Sequence, residues 1–248
     1  MAVRAQASAC ALEEVAVTAQ WRWITFDCFG TLVDWQAGFA GALRPLAGDR
    51  TEELVRAYHA HEAVVERLTP HRSYKDVLVT ALLRAAQDCE VPISLEAARA
   101  LPDAWASMPM FDDVEPMLAE LRQRGWKLAV LTNCDEDLFA ATQQRFRVPF
   151  DLVLTAERVR GYKPARWHFQ GFERLTRLDR RNWVHVANSW YHDIAPARAL
   201  GIQHVWLDRD RTGETGVPAQ AHVHTAADVP AAARCLTEPL DVLTASNA

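Results

Sequence analysis

Cysteine is sparse in this 248-residue chain, and its few copies do not pair. Cys10, Cys28, Cys89, Cys134 and Cys235 are odd in number and far apart, with no CxxC spacing. This argues against a disulfide framework or a cysteine-based structural zinc site, and fits a reducing, cytoplasmic setting. A polybasic run is also missing, and the formal net charge is -5. Neither nucleic acid nor an anionic membrane is therefore expected as a partner, although a small anionic substrate needs only local positive charge. No apolar stretch approaches the length of a membrane-spanning helix. Met1 to Gln20 carries Glu13 and Glu14 where a secretory signal has its apolar centre, so residues 1–20 read as an N-terminal extension. The first strand is not followed by GxGxxG, which argues against a dinucleotide site.

What is present is ordinary for a globular chain, with 50% hydrophobic and 24% charged residues. Trp23 to Leu32 stands out. It reads as a buried strand that delivers Asp27 to its C-terminal end, followed by a turn at Gly30 and a hydroxyl at Thr31. By itself this is also a plain strand end with a solvated aspartate. The pattern then turns helical, with no strand signal over 36–111. Glu52 to Leu68, Ser73 to Ala86 and a third helix capped by Ser94 and closed at Pro102 are expected there.

From Asp112 helices alternate with strands at Lys127–Thr132, Asp151–Thr155, Trp183–Ala187, His204–Asp208 and, weakly, His222–His224. Asp135 is expected to cap one intervening helix, and Pro164 to open another. Alternation of this kind implies right-handed crossovers and a parallel sheet. The expected fold is α/β: a Rossmann-like core over 21–35 and 112–235, an inserted all-helical cap over 36–111, and a C-terminal tail over 236–248.

Polar residues gather at successive strand ends: Asp27 and Thr31, then Thr132 and Asn133, then Lys163, then Asn188, Ser189 and Asp193. In a parallel sheet these ends share one edge, so the groups can converge. Each has a structural reading alone, as a cap, a turn residue or a solvated lysine. Their joint order is harder to produce by chance. Cys28 and Cys134 lie beside them and read as small buried hydrophobes.

Four segments carry a resemblance: Phe26-Asp27-Cys28-Phe29-Gly30-Thr31-Leu32, Leu131-Thr132-Asn133, Tyr162-Lys163-Pro164 and Ala187-Asn188-Ser189-Trp190-Tyr191-His192-Asp193. Together they resemble the four motifs of the haloacid dehalogenase (HAD) superfamily, within it the type II L-2-haloacid dehalogenases more than the phosphatases. The resemblance implies a nucleophilic Asp27, with Thr31, Lys163, Asn188 and Asp193 as further catalytic residues and Asp193 activating water. It implies a 2-halocarboxylate substrate, a halide product and a homodimer. Substrate contacts would come from Phe29, Tyr74, Thr132, Asn133, Trp190 and a cap arginine, Arg56 first and Arg72 as its rival.

Chemistry favours the dehalogenase side. The phosphatases carry an acidic residue two positions after the nucleophile to protonate an alkoxide, and Phe29 cannot do that; a departing halide needs no acid. They also hold Mg²⁺ with an aspartate where Asn188 stands, and an amide weakens such a site. No cofactor is therefore expected, with Mg²⁺ confined to a phosphatase activity. Hydrolysis of another bond α to a carboxylate, and a HAD fold with little turnover, also stay open. Phe29, Thr132, Asn188 and Phe169 depart from residues common in related dehalogenases, so substrate identity stays open among chloroacetate, 2-chloropropionate and fluoroacetate.

Overall fold

The computed structural model describes residues 21–213 and 218–237. The expected extension over 1–20, with Cys10, and most of the expected tail lie outside the described residues. Six strands form one parallel sheet: β1 (Trp23–Phe26), β2 (Lys127–Thr132), β3 (Leu152–Thr155), β4 (Trp183–Ala187), β5 (Gln203–Leu207) and β6 (Ala221–Val223). Their order is β3-β2-β1-β4-β5-β6. The chain therefore builds outward from β1 in one direction and then restarts at β4 on its other side. The crevice between β1 and β4 is the topological switch point, where open sheets of this kind bind ligands.

Both faces of the sheet are covered, as the near-continuous apolar strands require. Alternation along β1 sends Ile24 and Phe26 into the larger core, while Thr25 faces the layer that holds Trp183 and His185. Each large apolar side chain so buried is worth roughly 1.5–3 kcal/mol.

Between β1 and β2 the described structure is helical: α1 (Trp35–Ala47), α2 (Thr51–Glu66), α3 (Tyr74–Asp88) and α4 (Ala100–Ala104), with short 3₁₀ turns between them. Leu54, Tyr58 and Val65 of α2 are buried, as are Val77, Leu78, Ala81, Leu82 and Ala85 of α3. No helix of the described residues is long and apolar enough to cross a membrane.

Four local expectations are corrected. Ser94 accepts from Ala97 N at 3.1 Å, but the helix it caps opens as a 3₁₀ turn (Ala97–Arg99) and runs on through α4, past Leu101. Pro102 lies in the first turn of α4, where its missing N–H leaves no gap, and does not end a helix. Pro164 precedes its helix, which starts at Trp167. Asp135 occupies the N-cap position of α6 (Glu136–Gln143), which follows α5 (Val114–Gln123), yet does not cap α6. Its carboxylate instead accepts from Tyr74 N at 2.7 Å and Lys75 N at 3.0 Å, capping α3 of the helical insertion from the core. Asp135→Ala is expected to cost about 1–2 kcal/mol, read as a lowered urea midpoint; a loss below about 0.3 kcal/mol would contradict this capping role.

Candidate active site

The site begins where β1 ends. Asp27 N donates to Val186 O at 3.1 Å, which holds the residue at the β1–β4 crevice. The chain then turns back on itself: Leu32 N and Val33 N both donate to Cys28 O. Gly30 has φ +95 and packs so close to the Trp35 ring that a Cβ there would lie 3.2 Å from Nε1, so glycine suits the turn twice over.

Thr31 Oγ1 donates to Asp27 Oδ2 at 2.8 Å and accepts from Asn188 N at 3.0 Å. Lys163 arrives from the segment after β3, and its side chain is 1% exposed. Its ammonium donates to Asp27 Oδ1 (2.8 Å), Asp193 Oδ1 (2.7 Å) and Leu131 O (2.7 Å). An ammonium has three protons, so none is left over for a substrate.

Two carboxylates share one cation. Burial pushes Asp193 up, but Lys163 and the hydrogen bond from His185 outweigh it, and its carboxyl is held down at about 2. Burial dominates at Asp27, which is raised despite Lys163, and the Asp193 charge adds to the rise. As the pair titrates, Asp193 loses its proton first. Asp193 is backed by a fixed chain: His185 Nε2 lies 3.0 Å from its Oδ1, and His185 Nδ1 lies 2.9 Å from Thr25 Oγ1. Thr25 Oγ1 in turn accepts from Trp183 Nε1 at 2.8 Å. One proton arrangement satisfies all of these, with N–H on His185 Nε2 and the Thr25 hydroxyl donating to Nδ1.

A cavity of about 310 Å³ opens on Asp27, roofed by the helical insertion. Phe29, Tyr74, Thr132, Asn133, Asn188 and Trp190 all line it, as do Lys163 and Asp193. Thr31 lies behind Asp27, fully buried. The structure thus brings together every expected site residue except the cap arginine. Arg56 is exposed and absent from the cavity wall. It lies about 200° around α2 from Tyr58, at roughly 100° per residue, and so points away from the buried face. Arg72 is also exposed; its backbone carbonyl accepts from the Tyr162 hydroxyl at 2.7 Å. Among the described residues, no arginine lines this cavity.

The Asn133 side chain is not free to contact substrate, contrary to expectation. Its Nδ2 donates to Glu66 Oε1 (3.2 Å) and Lys163 O (3.1 Å), while its Oδ1 accepts from Lys163 N (2.8 Å). Asn188 is likewise committed: Nδ2 donates to Asp210 Oδ2 at 2.8 Å, and Oδ1 accepts from Arg209 N at 3.0 Å. Arg209 itself donates to Thr31 O at 2.7 Å and pairs with Asp113, so the loop after β5 braces the nucleophile turn.

This donor set fits Mg²⁺ poorly. Lys163 Nζ occupies one oxygen of each carboxylate, and the amide at 188 is spent on the neighbouring loop. Cys28 and Cys134 are fully buried, and burial raises both thiols, which suits packing better than nucleophilic attack.

Sequence reasoning missed the acidic side of the cavity. His59, Glu62 and Glu66 lie at i, i+3 and i+7 on α2 and all line it, with His192 and Asp210 from the core. The spacing was visible in the sequence, but nothing there said which stripe of α2 would face Asp27.

A sequence profile of haloacid dehalogenase-like hydrolases matches residues 21–201. The (S)-2-haloacid dehalogenase of Pseudomonas sp. (strain YL) is 27% identical over 192 residues, covering 75% of this chain and 82% of that enzyme. Haloacetate dehalogenase H-2 of Moraxella sp. (strain B) is 25% identical over 203 residues, covering 77% and 90%. A solved L-2-haloacid dehalogenase shares the fold, with a TM-score of 0.77 at 22% identity over 88% of this chain and 100% of that one. The profile runs through all four strand-end segments and the helical insertion between the first two, and on that ground the chain belongs to the haloacid dehalogenase-like hydrolase family.

Proposed function

We propose that the protein hydrolyses the carbon–halogen bond of a small substrate halogenated next to its polar end, through an ester on Asp27. The observation that carries this reading is the Asp27 carboxylate itself. It sits at the switch point, oriented by Thr31 and Lys163, facing the cavity, with Phe29 where an acid for a poorer leaving group would stand. In the first step an Asp27 oxygen attacks the α-carbon, and the carbon–halogen bond breaks with its electron pair leaving on the halide. In the second, water attacks Asp27 Cγ. The Asp193 carboxylate takes one water proton as the new bond forms, when the attacking water is far more acidic than free water. The bond from Cγ to the oxygen on the substrate carbon then breaks, and the departing oxygen takes that proton back from Asp193. The second water proton is released as Asp27 ionises again. The products are a 2-hydroxy compound, halide and regenerated Asp27.

Two relatives of similar length are named for action on haloacids and haloacetate, which supports this class of leaving group. No metal is assigned a role, because Lys163 already bridges Asp27 and Asp193.

One panel tests the reading: halide release from haloacetates, from haloacetamides and from both enantiomers of 2-chloropropionate, beside Mg²⁺-dependent cleavage of an aryl phosphate. Halide release that is insensitive to a chelator is the expected result. Mg²⁺-dependent phosphate release without halide release would replace it with a phosphatase reading.

A further inference from the structure

The α2 wall of the cavity that holds Asp27 carries the wrong charge for a free carboxylate. Glu62 and Glu66 project into it from α2, with side chains only 13% and 5% exposed. Glu62 is held in place: Tyr58 and Tyr74 both donate to its Oε1, the former at 2.9 Å, and His59 Nδ1 lies 3.4 Å from its Oε2. Glu66 is less occupied. Asn133 donates to its Oε1, whereas its Oε2 has His192 Nε2 at 3.6 Å, an ion-pair distance too long for a hydrogen bond. Glu66 Oε2 thus has an ion-pair partner in His192 but, among the described residues, no donor at hydrogen-bond distance.

The charge balance decides what that acceptor wants. Asp27, Asp193 and Asp210 line the cavity with the two glutamates, so five carboxylates face Lys163, His59 and His192. The cavity stays negative even with both histidines charged, and also with Glu66 protonated. Arg67 does not line this cavity but an adjoining cleft that Glu66 and Lys163 also border, where it reaches the Tyr191 hydroxyl. A 2-haloalkanoate would bring a further negative charge beside these carboxylates, and like charges so placed repel.

We infer that Glu66, backed by Glu62, selects substrates whose end remote from the reacting carbon carries a nitrogen donor, an amide or an ammonium, in place of a free carboxylate. The inference rests on the Asp27 displacement reading, and it names the substrate class of that same site. The donor N–H groups meet Glu66 Oε2 while the halogen-bearing carbon lies over Asp27.

The test separates binding from turnover. Glycolate, glycolamide and ethanolamine are the hydrolysis products of chloroacetate, chloroacetamide and 2-chloroethylamine, and they carry a negative, neutral and positive end. Calorimetric titration of each into the wild-type protein, at about pH 8 where Glu66, raised to about 7, is ionised, is expected to show one nitrogen ligand binding about tenfold tighter than glycolate. Glu66→Gln keeps the shape and removes the charge, and is expected to erase that preference; Glu62→Gln weakens it less. Thermal midpoints of both variants establish that they are folded. Glycolate binding as tightly as the nitrogen ligands overturns the inference. So does a preference that Glu66→Gln leaves unchanged, or no measurable binding by either nitrogen ligand. Halide assays on the three parent chlorides keep the two readings apart: a nitrogen preference in binding with no halide released would remove the dehalogenase reading and leave the selectivity standing.

Discussion

Asp27→Asn is expected to lower halide release by about four orders of magnitude or more while leaving the protein folded. An amide is neutral, and its nitrogen lone pair is delocalised into the carbonyl, so the variant has no nucleophile at the end of β1. Nothing adjacent can substitute: Asp193 is tied to Lys163 and His185 through Oδ1, and both nearby thiols are buried and raised. The fold should tolerate the change. Two buried carboxylates sharing one ammonium become a simple one-to-one pair, and the amide oxygen can still accept from Lys163. Residual activity above about a hundredth of wild type would mean that another group attacks carbon. The raised Asp27 carboxyl also fixes a sign. Its protonated form cannot attack, so the acidic limb of kcat/KM should lie above the ordinary aspartate value of about 3.9.

Lys163→Met is expected to destabilise the protein by about 3–5 kcal/mol near neutral pH, because it strands two buried carboxylates against each other. For a chain of this size that is a fall of roughly 6–20 °C in the thermal midpoint. The pH dependence distinguishes this cause from simple loss of packing. In the wild type, Asp193 is depressed to about 2, so its stabilisation is present above the ordinary aspartate value and is lost as pH falls through about 2. In the variant Lys163 no longer holds either carboxyl down, and burial pushes both up. Acid then neutralises them in the folded state, and the deficit relative to wild type shrinks as pH falls. Urea titrations at several pH values measure this. A deficit that is constant with pH would assign the loss to packing.

The core was legible because its signals are local. β2 and β4 fall where the sequence places them, and their polar ends are readable once the strands alternate with helices. Convergence of Asp27, Lys163 and Asp193 follows from parallel topology alone. The cap side was not legible, because rotation of a helix about its axis is set by what packs on its other face. Leu54, Tyr58 and Val65 take the buried stripe of α2, which turns His59, Glu62 and Glu66 toward Asp27 and leaves Arg56 outside. The Asp135 cap on α3 and the Arg209 brace join residues 61 and 178 positions apart, and no pattern along the chain marks either.

The covalent step through Asp27 is tested most directly by one turnover in H₂¹⁸O, with enzyme in excess over a 2-halo substrate that the panel shows to be cleaved. The account predicts an unlabelled hydroxyl in the product, supplied by the Asp27 carboxylate, and a single ¹⁸O in the peptide that contains Asp27. Label in the product and none in that peptide would show that water attacks carbon directly, and would contradict the account.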